Sequence, residues 1–254
     1  MDKFFDIIYD NIRYADVIIE VLDARNPMGT RNTRVEDYIK NFSKKMILVL
    51  NKADLVPNSI IRKWREILKQ DYTVFYLIGV KKYSESMNLL KKYLFKLAKS
   101  QEIKVLIIGY PNVGKSSIIN ALKMKDMAQT SPEAGHTRGK QYIRLSNKVL
   151  LIDSPGVFPV NQEDEVELAL KNAIRVEKIK DLELVVDNIF KLVGKDKVLK
   201  YYDIEFSDST EFLEKLARKR GKLLKGNKPN TDAAARIFIR EFQRNKIPYW
   251  VEPT

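Results

Sequence analysis

The chain has 254 residues, with 46 Lys and Arg against 33 Asp and Glu, one His and no Cys. The lack of Cys excludes disulfides, thiol nucleophiles and thiolate metal sites, and a single His excludes a multi-His metal centre. A net charge of +13 on a chain that is 44% apolar fits a globular protein with a polyanionic partner, RNA first and an acidic membrane surface second.

No apolar run approaches the roughly 18 residues of a membrane span, and Met1–Asp6 lacks the apolar core of a secretory signal. No membrane contact and a cytoplasmic location are the expectations.

Up to residue 160, short β-branched runs alternate with amphipathic stretches. Val17–Leu22, Met46–Leu50, Val74–Ile78, Ile103–Ile108 and Lys148–Ile152 have the length and composition of strands. Ile60–Gln70 has helical spacing through Ile61, Trp64, Ile67 and Leu68, and Ser84–Lys99 through Met87, Leu90, Leu94 and Leu97. Strands apolar on both faces, separated by helices, predict an α/β fold with a mostly parallel sheet and helices on both faces.

From Glu163 on, the pattern is helical only: Val166–Ile179, Leu182–Val193, Ser209–Lys219 and Thr231–Arg244, with Gly194, Gly221 and Gly226 at the expected stops. The pattern breaks at Phe158–Gln162, which predicts an α/β domain over 1–160 and a small all-α domain over 161–254. Net charge is +11 over residues 1–160, −6 over 161–214 and +8 over 215–254.

Gly109-Tyr110-Pro111-Asn112-Val113-Gly114-Lys115-Ser116 matches GxxxxGKS, and it lies between the strand ending at Ile108 and the helix Ser117–Leu122. Glycines let successive backbone N–H groups point at phosphate oxygens, and the helix N-terminus adds partial positive charge. Val113, Gly114 and Ser117 belong to this cradle. Lys115 would neutralise β- and γ-phosphate oxygens, and the Ser116 hydroxyl would face Mg²⁺.

The motif identifies a nucleoside triphosphate but not its base. Asn51-Lys52-Ala53-Asp54 follows the strand Met46–Leu50. A carboxylate at Asp54 accepts from both N1–H and the 2-amino group of guanine. Adenine offers neither donor in that geometry, so it would leave the carboxylate unpaired at a cost of roughly 1–3 kcal/mol. Asn51 suits the purine edge and neighbouring loops, and the stem of Lys52 suits the flat base. Asp153-Ser154-Pro155-Gly156 follows another strand. There Asp153 suits a Mg²⁺ water, and the Gly156 N–H suits a γ-phosphate oxygen. Thr137, in Ala134-Gly135-His136-Thr137-Arg138-Gly139, is placed to complete the Mg²⁺ shell.

In ordinary GTPases the phosphate loop comes first and the NKxD segment late. Here NKAD precedes the loop by over fifty residues. This order resembles the circularly permuted GTPases of the YlqF/YawG ribosome-assembly family, over nearly the whole chain. Asp23-Ala24-Arg25-Asn26-Pro27 is similar to that family's DARxP signature. GxTRG and DSPG follow in family order. Lys225 through Asn230, Asp232 through Arg236, and Asn245 through Tyr249 are similar to its C-terminal domain.

The resemblance implies a circularly permuted P-loop GTPase domain over 1–160 and a helical RNA-binding domain over 161–254. It also implies GTP or GDP with Mg²⁺, a K⁺ at Asn112, slow intrinsic hydrolysis, and rRNA or a ribosomal subunit as partner, in late large-subunit assembly. DNA is not expected as a partner, and the chain is expected to be a monomer. Two departures stand out. Ile78-Gly79-Val80 occupies the place of the family's Ser-Ala-type base-packing motif. The segment ahead of the first strand lacks the His of bacterial members.

Lys115, Asn112 and Gly156 carry the candidate catalytic roles. The place after Gly156, where many GTPases hold a water-orienting Gln, is Val157, whose side chain donates no hydrogen bond. A K⁺ at Asn112, His136, or a partner in trans remain as the means of positioning the water.

In the tail, Arg236, Arg240 and Arg244 share one helix face, opposite Ala235, Phe238, Ile239 and Phe242. Arg218, Lys219, Arg220, Lys222 and Lys225 form a second basic run. Both suit RNA phosphates, and Tyr249 and Trp250 suit base stacking. Two other readings stay open at this point. One is a GTP-dependent switch on a non-ribosomal RNA with little catalysis. The other is an ATP-using P-loop enzyme in which NKAD is accidental.

Overall fold

A computed structural model describes residues 3–78, 85–123, 141–153 and 164–253. The chain divides into two units, Met1–Pro159 with Glu252–Thr254, and Val160–Val251. The first runs α1 (Lys3–Tyr14), β1 (Val17–Asp23), α2 (Pro27–Thr30), α3 (Thr33–Lys40), β2 (Lys45–Asn51), a short 3-10 turn at Ala53–Leu55, α4 (Asn58–Leu68) and β3 (Thr73–Tyr76). It continues through α5 (Glu85–Leu97), β4 (Ile103–Ile108), α6 (Lys115–Lys123), β5 (Gln141–Ser146) and β6 (Val149–Asp153).

The strands form one sheet in the order β3-β2-β1-β4-β6-β5, parallel throughout except for β5 against β6. Every residue of β1 is buried, and so is β2 beyond Lys45, because helices cover both faces. Each large aliphatic side chain sealed there, such as Ile18, Leu22, Ile47 or Leu50, stabilises the fold by about 1.5–3 kcal/mol. The parallel strands were legible as apolar runs. β5 was not: it is an edge strand whose buried anchor is Leu145. On α4 the buried face is Ile60, Ile61, Trp64 and Leu68, whereas Ile67 is exposed.

The chain builds outward from β1 through β2 to β3, then returns to lay β4 on the other side of β1. The order therefore reverses between β1 and β4. In open parallel sheets, ligands bind at the carboxyl ends of strands beside such a reversal. β1, β2, β4 and β6 all point those ends the same way, delivering Asp23, Asn51, Gly109 and Asp153 to one edge of the sheet. The register sets Asp23 level with Asn51.

Beneath that edge lies a buried polar cluster. Glu20 is fully buried and accepts from the Asn32 N–H at 2.9 Å. Glu36 accepts from Arg31 Nε and from the Tyr72 hydroxyl, both at 2.8 Å. Burial, then the Glu36 charge, hold the Glu20 carboxyl well above its ordinary value, which favours its protonated form. Burial also works to raise Glu36, but the hydrogen bonds from Arg31 and Tyr72 bring it down.

The second unit contains α7 (Glu165–Leu170), a 3-10 turn at Val176–Lys178, α8 (Leu182–Val193), α9 (Lys195–Tyr202), α10 (Ser209–Lys219), β7 (Leu223–Leu224), β8 (Lys228–Pro229) and α11 (Thr231–Gln243). Asp181, Asp208 and Asn230 cap α8, α10 and α11 by accepting from the N–H groups of Leu184, Glu211 and Ala233. Phe190, Phe206, Phe212 and Phe238 pack together at the centre, with Phe212 and Phe238 centroids 5.1 Å apart.

Three features differ from the sequence reading. The helix expected over Val166–Ile179 ends at Leu170, and Asn172 turns the chain at φ 59°. α9 was not anticipated. β7 and β8 form a two-stranded ribbon in a region read as wholly helical, its turn made by Gly226 at φ 78° and Asn227 at φ 61°.

Candidate functional site

The loop between β4 and α6 follows the phosphate-binding pattern in its backbone. Gly109 takes φ 143°, Asn112 φ 61° and Gly114 φ 105°. A Cβ on Gly109 would overlap the Val21 carbonyl oxygen, and one on Gly114 would overlap Asn51 Nδ2. Lys115 opens α6, and its Nζ donates to the carbonyls of Gly109 and Tyr110, both at 2.6 Å. Burial pushes the Lys115 ammonium down to about 8. Ser116 and Asn112 are exposed, Ser117 is half-buried, and Val113 is buried.

Asn51 ends β2 and is buried, and its Nδ2 donates to the Val113 carbonyl at 2.7 Å. The Asn51–Asp54 segment and the phosphate loop are thus in direct contact. The loop after Asn51 is fixed at both ends: Ala24 donates its N–H to the Asn51 carbonyl at 2.9 Å, and Ala53 to that of Leu77 at 3.0 Å. Lys52 takes the left-handed conformation at φ 61°, which costs a non-glycine residue roughly 1 kcal/mol or more. Asp54 follows in the 3-10 turn, with its side chain exposed.

The sequence reading assigned Asp23 no role of its own, yet its carboxylate stands at the centre of this edge. Arg25 Nε and Nη2 donate to it at 2.9 and 2.6 Å, and Lys52 Nζ at 2.9 Å. Burial works to raise the Asp23 carboxyl, but the hydrogen bond and charge of Arg25, then of Lys52, bring it down to about 2. Burial lowers the Lys52 ammonium against the pull of Asp23. The signal that would have found Asp23 is the paired ending of the first two apolar runs, each on a polar residue.

Asp153 closes β6, next to the phosphate-loop strand. Thr137, His136, Gly156, Val157, Gly79 and Val80 lie outside the described residues, as does the Phe158–Gln162 boundary. Among the described residues no three His, Asp or Glu cluster as metal ligands.

In the helical unit the candidate RNA-binding residues separate into two groups. Residues 218–228 are all exposed, including Arg218, Lys219, Arg220, Lys222, Lys225 and Lys228. Within that run, Lys219 Nζ donates to the Tyr202 carbonyl at 2.7 Å, and Arg220 pairs with Glu241. On α11, Arg236 is part-buried and donates to the Val176 carbonyl at 2.8 Å, and Arg240 pairs with Glu177 at 2.8 Å. Arg244 is exposed. Tyr249 is not a stacking platform: it is 3% exposed and packs on Phe242. Trp250 is half-buried, with Lys197 Nζ over its ring at 4.3 Å.

A family model described as RsgA GTPase matches residues 10–162, and one described as 50S ribosome-binding GTPase matches residues 104–224. GNP-bound YlqF from T. maritima is 32% identical with a TM-score of 0.69, covering 96% of this chain and 95% of that one. GDP-bound YlqF is 33% identical with a TM-score of 0.72, covering 97% and 98%. This chain belongs to the circularly permuted GTPase family.

As a circularly permuted GTPase it carries the Asn51–Asp54 segment at the end of β2 and its phosphate loop after β4, and the Asn51–Val113 bond joins the two across β1. The reading as an unrelated ATP-using enzyme is set aside. Nucleolar GTP-binding protein 2 of Pneumocystis carinii is 39% identical over 99% of this chain and 54% of its own length. Nuclear/nucleolar GTPase 2 of Oryza sativa subsp. indica is 35% identical over 97% and 47%. This permuted GTPase spans about half the length of the curated relatives it matches. Their names overturn the cytoplasmic expectation, since they are called nucleolar or nuclear proteins. Among the described residues no helix is long and apolar enough to cross a membrane.

Proposed function

We propose that this chain couples GTP hydrolysis to ribosome assembly in the nucleolus, binding pre-ribosomal RNA or a subunit according to its nucleotide state. The observation that carries the nucleotide half is the 2.7 Å bond from Asn51 Nδ2 to the Val113 carbonyl. It supports a single pocket in which Asp54 reads guanine while the loop holds phosphate. The names of the relatives and the exposed basic run over residues 218–228 support the ribosomal half.

In this reading Lys115, already turned into the loop, meets the β- and γ-phosphate oxygens. The first N–H groups of α6 face the same charge. Asp54 accepts from guanine N1–H and the 2-amino group. Ser116, Thr137 and Asp153 are the residues for Mg²⁺, which supplies neutralisation of the phosphates. Ser116 is exposed in the first turn of α6, as that role requires. The Gly156 N–H is assigned to the γ-phosphate.

The Val157 side chain has no donor, so the attacking water is left to the ribosomal partner, and Asn112 would hold a K⁺ that would supply positive charge beside the phosphates. Asn112 is exposed at φ 61° in the loop, as such a ligand must be. Hydrolysis is then faster in K⁺ than in Na⁺ at equal ionic strength, and equal rates remove the Asn112 role.

Co-sedimentation with separated ribosomal subunits, with GDP and with a non-hydrolysable GTP analogue, tests the whole reading. Binding to a subunit that depends on the analogue is expected. Binding to unrelated structured RNA with the same affinity would favour a general RNA switch instead.

A further inference from the structure

Asp23 ends β1 level with Asn51, and its side chain is 7% exposed. Its carboxylate serves two cations. Arg25 holds both oxygens, through Nε to Oδ1 at 2.9 Å and Nη2 to Oδ2 at 2.6 Å. Lys52 Nζ donates to the same Oδ2 at 2.9 Å, with its own side chain 15% exposed. The carboxylate is further fixed by the Arg25 backbone N–H, which donates to Oδ1 at 3.0 Å, and the Asp23 backbone is held as well. The Asp23 N–H donates to Thr30 Oγ1 at 3.0 Å, and the Thr30 hydroxyl is held by the Asn26 carbonyl at 3.0 Å.

Lys52 lies between Asn51, which touches the phosphate loop, and Asp54, which faces solvent at the proposed base edge. A free lysine must give up rotamer freedom to lie against a base, and that loss weakens binding. Here the ammonium is tied down within the protein itself. Its four-carbon stem is left to span from the strand end toward Asp23 as an apolar surface. The bidentate Arg25 keeps Asp23 ionised, so the tie does not depend on Lys52 alone.

We propose that Asp23 is a positioning residue for guanine-nucleotide binding, which holds the Lys52 ammonium so that the Lys52 stem stands ready as a cover for the flat face of the base. This rests on the reading of Asn51–Asp54 as the base reader. Asp54 acts on the edge of the purine, and the Asp23–Lys52 tie acts on its face. A face contact does not distinguish guanine from hypoxanthine, whereas an edge contact does.

The test is calorimetric titration of the full chain with GDP and IDP, for Asp23→Asn, Lys52→Met and the double variant. Lys52→Met keeps an apolar stem without the ammonium. Each single variant weakens GDP and IDP by the same factor, about tenfold, and the double variant is no weaker than either single one. If Asp23→Asn costs as much in the Lys52→Met background as in the wild type, Asp23 acts on the fold and not through Lys52, and the proposal falls. If Asp23→Asn does not fold, Lys52→Met decides alone, and unchanged affinity overturns the proposal. Asp54→Asn is measured beside them. Lost guanine preference there, with wild-type affinity in the Lys52→Met variant, sinks the tie and leaves the base reader standing. Retained guanine preference in Asp54→Asn removes the base reader and the tie with it.

Discussion

Asn51 and Val113 are 62 positions apart in the chain, and the Asn51 side chain donates to the Val113 carbonyl at 2.7 Å. That bond joins the end of β2 to the loop after β4 across the intervening β1. Its neighbour Gly114 leaves room for it, since a Cβ there would overlap Asn51 Nδ2. Gly114→Ala therefore meets both an obstructing side chain and a φ of 105° that alanine resists. The variant is expected to bind GDP at least about tenfold more weakly, the equivalent of about 1.4 kcal/mol. Titration with labelled GDP reads this, and wild-type affinity would contradict the contact.

The Lys115 ammonium has its pKa pushed down to about 8 by burial. Phosphate binding requires the protonated form and holds the proton once bound. Affinity is thus full below pH 8 and is lost as pH rises beyond it, by up to about tenfold per pH unit. GDP titrations between pH 7 and 9 check this, and a flat profile would contradict it.

Glu20 is held well above the ordinary carboxyl value of 4.5 by burial and by the Glu36 charge. Its contribution to stability is complete below pH 4.5 and is lost as pH rises toward the folded value. Glu20→Gln keeps a donor and cannot ionise. It is expected to gain on the wild type with rising pH, melting about 2–4 °C higher at pH 8, the equivalent of about 1 kcal/mol at this chain length. A melting difference that is the same at pH 5 and pH 8 would contradict the buried proton.

Much of this architecture was legible in the sequence. β1, β2 and β4 read as apolar runs because helices cover both their faces. α8 and α10 have the bounds read from their helical spacing and the stops at Gly194 and Gly221. α9 was hidden because its buried residues are only Val198 and Tyr202. β5 was hidden because an edge strand needs little apolar surface. At the site, the motif residues could be named but not their bonds. Nothing in the spacing says that Asn51 donates to Val113, or that Asp23 holds Lys52. The second arises from β1 and β2 ending level in the sheet, and the first from β2 and β4 flanking β1 on either side. In the tail, basic residues at helical spacing looked equivalent, yet Arg236 is turned inward to the Val176 carbonyl.

That division is testable with RNA. Lys222, Lys225 and Lys228 stand exposed on and around the β7–β8 ribbon. Replacing all three with Ala should lower RNA affinity by about tenfold or more and flatten its salt dependence, by roughly 0.7–0.9 in slope for each phosphate left without its cation. Arg236→Ala should instead cost about 1 kcal/mol of stability, with a smaller effect on RNA. Filter binding across a salt series and thermal melting separate the two. An unchanged salt slope in the triple variant would point to a protein partner.

In the proposed pocket, Asn51–Asp54 and the loop ending in Lys115 and Ser116 enclose one guanine nucleotide. Asp54→Asn tests it most directly, through competition of guanosine and xanthosine diphosphates for the purified chain. An amide at this position no longer accepts from both guanine donors, and it offers a donor to the 2-oxo group of xanthine. GDP binding is expected to fall by about a hundredfold while XDP binding rises, so that the preference reverses. An Asp54→Asn variant that still prefers GDP to XDP by the wild-type ratio would contradict it.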